Sequence, residues 1–238
     1  MRTLWIIAGM RRSGIHAVVD WLLSGLDGPY ILLNNVRFDR VHRKANNMSL
    51  SPGYETSRTA NEHVVTVFED KRLDRIDRAP LLQSIRPSVD TNRKLIIIRD
   101  PYNLTASRLH RTRVRKSRDT RPQRVPSLWP DHASAQPPWI RCIYNRWIAD
   151  DSYRKQLAAE LQISQCPPRS EHVARAGRGS SFDGLTFDGR ASEMDVSGRW
   201  RQYADDPVFR QCVGRPEIAR LSAEVCLFPS PLEQADDS

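Results

Sequence analysis

A three-layer α/β fold, with a central parallel sheet flanked by helices, is the architecture this sequence predicts, and three stretches predict it. Leu4 to Ala8 is an apolar, strand-type run that breaks at Gly9 and passes through Arg11, Arg12, Ser13 and Gly14. A helical pattern follows at once, with Ile15, Val18, Val19, Leu22, Leu23 and Leu26 recurring on one face. Val64 to Phe68 is a second strand-type run, ending in Glu69-Asp70-Lys71. Leu95 to Ile98 supplies four consecutive apolar residues, the pattern of a strand buried on both faces. Asp100-Pro101 behind it is N-cap and first-turn chemistry for another helix.

The first of these stretches is also the first candidate site. A short polar turn between strand and helix is where α/β proteins bind anions, because the orphan N–H groups and positive dipole end of the helix point at it. Arg11 and Arg12 add guanidiniums, which grip phosphate or sulfate bidentately. Gly9 and Gly14 have the glycine spacing of the ATP-binding signature G-x-x-x-x-G-K-[ST], but Ile15 and His16 stand where its lysine and magnesium-binding hydroxyl are required. That substitution argues against an ordinary ATPase.

Between the anchors, Tyr30 to Val36 reads as a strand after the Gly28-Pro29 break. Residues 37–62 read as a polar loop, and the leucine-bearing segment from Leu73 to Ile85 as a helix. Arg99 at the end of the third strand and Ser107 eight positions on are placed to meet around one phosphate, and Asn103 shares a helix face with Ser107. From 108 to 124 arginine dominates, and prolines follow up to position 138. This composition predicts a basic insert or lid over about 108–138, suited to steering an acidic acceptor or nucleotide, to non-specific nucleic-acid contact, or to nothing beyond solvation. Trp139 to Trp147 reads as a short helix or strand, and Ser152 to Leu161 as a helix. The loop Gly177 to Gly184 carries Arg178, Gly179, Ser180 and Ser181, a glycine- and hydroxyl-rich set suited to a phosphate nest. Helices after Arg199 complete the core, and 229–238 reads as a frayed tail.

At 238 residues the chain suits one domain with a sizeable core, and its formal net charge of +9 favours anionic partners. Four cysteines show no metal-ligand spacing and no C-x-x-C pair, as expected of thiols in a reducing compartment. With no signal peptide or membrane-length apolar run, a cytoplasmic location and no membrane span are expected. No metal is expected either.

Arg12-Ser13-Gly14-Ile15-His16 resembles the 5′-phosphosulfate loop of the sulfotransferases that use 3′-phosphoadenosine 5′-phosphosulfate (PAPS), with Arg12 in place of that family's lysine and Ile15 and His16 in place of its two threonines. The Arg99–Ser107 spacing is similar to the family's 3′-phosphate pair, and the Arg178 to Ser181 loop looks like its late loop over the same phosphate. The resemblance implies a P-loop-like fold with PAPS as co-substrate, held by Arg11, Arg12, Ser13, Gly14, Ile15, His16, Arg99, Ser107 and residues 178–181. It implies sulfuryl transfer to an acceptor hydroxyl on a small molecule or glycan, with Arg12 and His16 stabilising the transferred and leaving groups. A base must take the acceptor's proton; Glu69 is favoured, with Asp70 second and His16 a further candidate. The rivals are a divergent P-loop kinase-like enzyme, with Asp70 near its magnesium, and a non-catalytic nucleic-acid binder using the arginines of 108–124.

Overall fold

The computed structural model describes residues 1–38, 48–52, 54, 61–114, 116, 121–174 and 179–232. Strands β1 (Arg2–Gly9), β2 (Tyr30–Leu33), β3 (Met48–Leu50), β4 (Glu62–Glu69), β5 (Thr91–Ile98) and β6 (Trp139–Ile143) form one sheet in the order β3-β2-β4-β1-β5-β6. Every neighbouring pair is parallel except the antiparallel β2–β3 edge. The helices are α1 (Ile15–Ser24), α2 (Leu73–Ile76), α3 (Pro80–Ile85), α4 (Pro101–Val114), α5 (Val125–Ala133), α6 (Tyr144–Ala149), α7 (Asp151–Glu160), α8 (Pro207–Val213) and α9 (Pro216–Leu221). The α/β class expected from the sequence is the class observed. Among the described residues no helix is long and apolar enough to cross a membrane.

The register explains where a site can form. Gly9 lies beside both Glu69 and Ile97, so β1, β4 and β5 end level with one another. The residues that follow them, the 10–14 loop, Asp70 and Arg99, therefore emerge together. The chain leaves β1 through α1 toward β2 on one side, and leaves β5 through α4 and α5 toward β6 on the other. Adjacent strands whose connections depart in opposite directions open a crevice outside their carboxyl ends, the usual ligand position in open α/β sheets. Leu4 to Ala8, Val64 to Phe68 and Leu95 to Ile98 are buried throughout, as strands covered on both faces must be.

Several boundaries differ from expectation for local reasons. The second strand stops at Leu33, and Asn35 turns the chain with φ 52°. Leu73 to Ile85 splits into α2 and α3 because Ala79, preceding Pro80, is extended and the proline has no N–H to continue the ladder. Trp139 to Trp147 is a strand running directly into a helix, and the expected 37–62 loop contains the edge strand β3.

The basic segment is largely not a lid. Helix α4 continues through Val114, and α5 occupies the proline-rich part with Val125, Leu128 and Trp129 buried at i, i+3, i+4 spacing. Pro126 sits in the first turn of α5, where a missing N–H costs no bond. Residues 115 and 117–120 lie outside the described residues. At the carboxyl end, Ser230 is buried and Leu232 packs on the cluster formed by Tyr102, Ala106 and Leu109 of α4 with Phe209, Cys212 and Val213 of α8, so 229–232 is not frayed. Residues 233–238 lie outside the described residues.

Candidate functional site

The loop between β1 and α1 is held in an unusual shape. Ser13 N–H donates to the Met10 carbonyl at 3.0 Å, while Arg12 and Gly14 both adopt left-handed backbone, with φ 75° and 84°. Gly14 is the N-cap of α1, and the ring of Tyr144 lies against its Cα where any Cβ would have to go. Ser13 Oγ is buried and has no hydrogen-bond partner among the described residues. Ser13 is not in the wall of the cleft described below, so the loop meets that cleft through Arg11, Arg12 and Gly14 at the N-terminus of α1.

Glu69 and His16 meet beside this loop. Glu69 Oε1 is 3.4 Å from His16 Nε2, and Glu69 Oε2 accepts from Arg11 Nε at 3.2 Å. Arg11 also donates to Asn35 Oδ1 at 3.3 Å. Burial pushes the Glu69 carboxyl up, but the hydrogen bond from His16 and the positive charges of His16 and Arg11 outweigh it, leaving the group below the usual carboxylate range. Asp20, one turn along α1, is pushed upward chiefly by burial, with His16 opposing.

The β5–α4 corner supplies the second cation. Arg99 is 4% exposed; its Nη1 donates to the Arg12 carbonyl at 3.0 Å and to Ser107 Oγ at 3.3 Å, and its Nη2 to the Val196 carbonyl. Arg99 and Ser107, expected to meet around one phosphate, are brought together by a bond to each other, and only Arg99 reaches the cleft. Asp100 caps α4 by accepting from Asn103 N at 2.7 Å. Asn103, on the Ser107 face, donates to the Ser197 carbonyl at 2.8 Å and accepts from Trp200 N at 3.2 Å. The late segment is therefore fastened to the start of α4.

The glycine–serine loop forms the third wall. Arg12 Nη1 donates to the Gly179 carbonyl at 3.3 Å, and Ser180 Oγ donates to Asp183 Oδ2 at 2.8 Å. Arg199 Nη2 donates to both Ser180 Oγ at 2.9 Å and Asp183 Oδ2 at 2.8 Å, with its guanidinium over the Phe182 ring. Burial, reinforced by repulsion from Arg99, lowers the Arg199 pKa to about 10.

Part of this set lines one cleft of about 430 Å³. Of the sequence-predicted residues, Arg11, Arg12, Gly14, Ile15, His16, Glu69, Arg99, Gly179, Ser180 and Ser181 are in its wall. Ser107 is fully buried behind it, positioning Arg99, and Arg178 lies outside the described residues. Asp70 departs from the expectation of an alternative base. Its carboxylate accepts two bonds from Arg108, at 2.8 and 3.1 Å, and one from Arg11 N at 3.1 Å, and its side chain is 3% exposed. It braces the loop and is not part of the cleft wall.

Sequence reasoning missed Arg111, Arg199, Tyr144 and Trp147, which also line the cleft. Arg111 carried a signal, since Asn103, Ser107 and Arg111 are spaced i, i+4, i+8 along one helical face. Arg199 carried none, because it lies in a stretch that reads as core helix. The wall holds six arginines (Arg11, Arg12, Arg99, Arg111, Arg169 and Arg199) against the carboxylates Asp20 and Glu69, an excess that favours an anionic ligand. No protein-family model matches this chain, and no curated protein does.

Proposed function

We propose that the protein transfers a sulfuryl group from PAPS to an acceptor hydroxyl. The observation that carries this reading is the convergence of three separate anion-type segments on the walls of one cleft, through Arg11, Arg12 and residues 14–16, through Arg99 held from behind by Ser107, and through residues 179–181, beside a carboxylate–imidazole pair. A nucleotide bearing anionic groups at two ends needs two cationic poles. The Arg11–Arg12 loop with the α1 N-terminus offers one, and Arg99 with Arg199 the other. Bound there, PAPS would supply an activated sulfuryl group.

The residues of the chain then do what such a transfer requires. Charge grows on the bridging oxygen and is spread over the sulfuryl oxygens, so positioning and fixed cations supply most of the rate, as in phosphoryl transfer. Arg12 and the first N–H groups of α1 meet that charge. The S–O bond to the nucleotide breaks, the bond to the acceptor oxygen forms, and the acceptor's proton passes to the Glu69–His16 pair. Glu69 is ionised at neutral pH and lies 3.4 Å from His16 Nε2, so its carboxylate is the group of the pair assigned to take the proton while the imidazole is held beside it. A magnesium-dependent kinase reading is disfavoured because Asp70, its natural metal carboxylate, is consumed by Arg108.

The test is release of 3′,5′-adenosine bisphosphate from sulfur-labelled PAPS in the presence of pooled hydroxyl acceptors, with label recovered in product. Glu69→Gln and His16→Asn should each slow turnover by roughly 10²- to 10⁴-fold, the usual contribution of a positioned base. Wild-type rates in both variants would remove the pair from the chemistry.

A further inference from the structure

Arg108 is the least exposed arginine among the described residues, at 0%, and it lies in neither the cleft wall nor any solvated face. All five of its N–H donors are engaged. Nε and Nη2 donate to the Arg121 carbonyl at 3.2 and 3.1 Å, Nη1 to the Arg11 carbonyl at 3.1 Å, and Nη1 and Nη2 to the Asp70 carboxylate. Asp70 Oδ1 in turn accepts from Arg11 N, and Asp70 N donates to the Gly9 carbonyl at 3.0 Å. The two side chains therefore clasp both the N–H and the carbonyl of Arg11, and they do so between two non-glycine residues in left-handed backbone, Asp70 (φ 54°) and Arg12 (φ 75°).

We propose that the buried Arg108–Asp70 pair is a positioning device for the anion loop. It holds the Arg11–Arg12 backbone in the left-handed turn that presents the following N–H groups and the Arg12 side chain to the ligand. Two structural facts favour this over an ordinary core ion pair. A buried pair is weak grounds for stability, since apolar residues of similar volume commonly serve as well or better. This pair also grips one loop residue, Arg11, at both its N–H and its carbonyl while anchoring to the Arg121 carbonyl, and a lysine could not reproduce that planar, five-donor pattern. The inference rests on the cleft being a nucleotide site, but the loop geometry can be read without any ligand.

The experiment compares wild type with Arg108→Met, Asp70→Asn, Arg108→Lys and the double variant Arg108→Met/Asp70→Asn. Melting temperature, amide hydrogen exchange of residues 10–16 without ligand, and 3′,5′-adenosine bisphosphate affinity are recorded for each. Either single neutralisation strands one buried charge and should lower stability. The double variant removes both charges and should recover most of it. If the pair positions the loop, the double variant will still exchange residues 10–16 at least tenfold faster and bind the bisphosphate at least tenfold more weakly, and Arg108→Lys will not rescue either readout. Ile218→Val, in the core and outside the cleft, should change neither. A double variant with wild-type loop exchange overturns the inference, whatever the ligand does. Wild-type protein that ignores the bisphosphate, with loop exchange accelerated in the double variant, overturns the nucleotide reading and leaves the positioning role standing.

Discussion

Gly14→Ala is the substitution whose cost follows most directly from the geometry. Gly14 has φ 84°, and left-handed backbone costs an L-residue about 1–2 kcal/mol. The new Cβ would also overlap Cε2, Cζ and Cδ2 of Tyr144; even the third of these lies only 2.5 Å away, about 1 Å inside ordinary carbon contact. Tyr144 cannot swing aside cheaply, because it is buried and stacked on Trp147. Overpacking of this kind adds about 1–3 kcal/mol, for a total of roughly 2–5 kcal/mol. At about 2–4 °C per kcal/mol for a chain of this size, the melting temperature should fall by roughly 4–20 °C. Differential scanning calorimetry reads it. The double variant Gly14→Ala/Tyr144→Ala separates the two causes, since it relieves the overlap and not the backbone strain, and should show a favourable coupling of about 1–3 kcal/mol. A melting temperature within about 1 °C of wild type for the single variant would refute the geometry assigned to the loop.

Three further outcomes are expected. Arg199→Met should release Ser180 and Asp183 from the late segment and remove a cleft cation, weakening nucleotide binding at least tenfold by calorimetry, since one charge-assisted bond contributes about 1.5–3 kcal/mol. Burial lowers the pKa of His63, against its opposing bond to the Asp27 carboxylate, and that of His132, so both imidazoles are held neutral in the fold and take up protons on unfolding at acid pH. Stability from these two groups is present above their unfolded pKa, near 6.5, and is lost as pH falls below it; His63→Phe should flatten the melting curve over that range. Glu69 is depressed instead, so its contribution is intact at neutral pH and is lost only as pH falls below the ordinary carboxylate value; Glu69→Gln should blunt the loss of stability at the acid end alone.

The parts of the fold legible in the sequence were those where a single period dominates. Leu4 to Ala8 and Leu95 to Ile98 are continuous apolar runs, Val64 to Phe68 is apolar but for Thr66, and each is a buried parallel strand. Asp100-Pro101 announced a helix, and one starts there. Composition misled where it was strongest. Arginines and prolines between 108 and 138 conceal the Val125, Leu128, Trp129 spacing that buries α5, and the fully buried Arg108 looks on paper like its exposed neighbours. Edge strand β3 was illegible because three exposed residues carry no burial pattern. In the site, local spacing found Arg99 with Ser107 and the carboxylate at the end of β4. Glu69 was favoured over Asp70 there, but side chains of adjacent strand-end residues diverge, and it is the tertiary contacts that put Glu69 in the cleft wall and Asp70 against Arg108. Arg199, 100 positions after Arg99, reaches the same cleft through a segment with no regular pattern, so no local rule could have joined them.

The cleft is proposed to hold a nucleotide phosphorylated at both the 3′ and 5′ positions. The most direct test is calorimetric titration of wild type, Arg12→Ala and Arg99→Ala with 3′,5′-adenosine bisphosphate, ATP and AMP. Wild type should prefer the bisphosphate over both other nucleotides, and this preference should collapse in Arg99→Ala. Equal binding of all three by wild type, or binding of none, would contradict it.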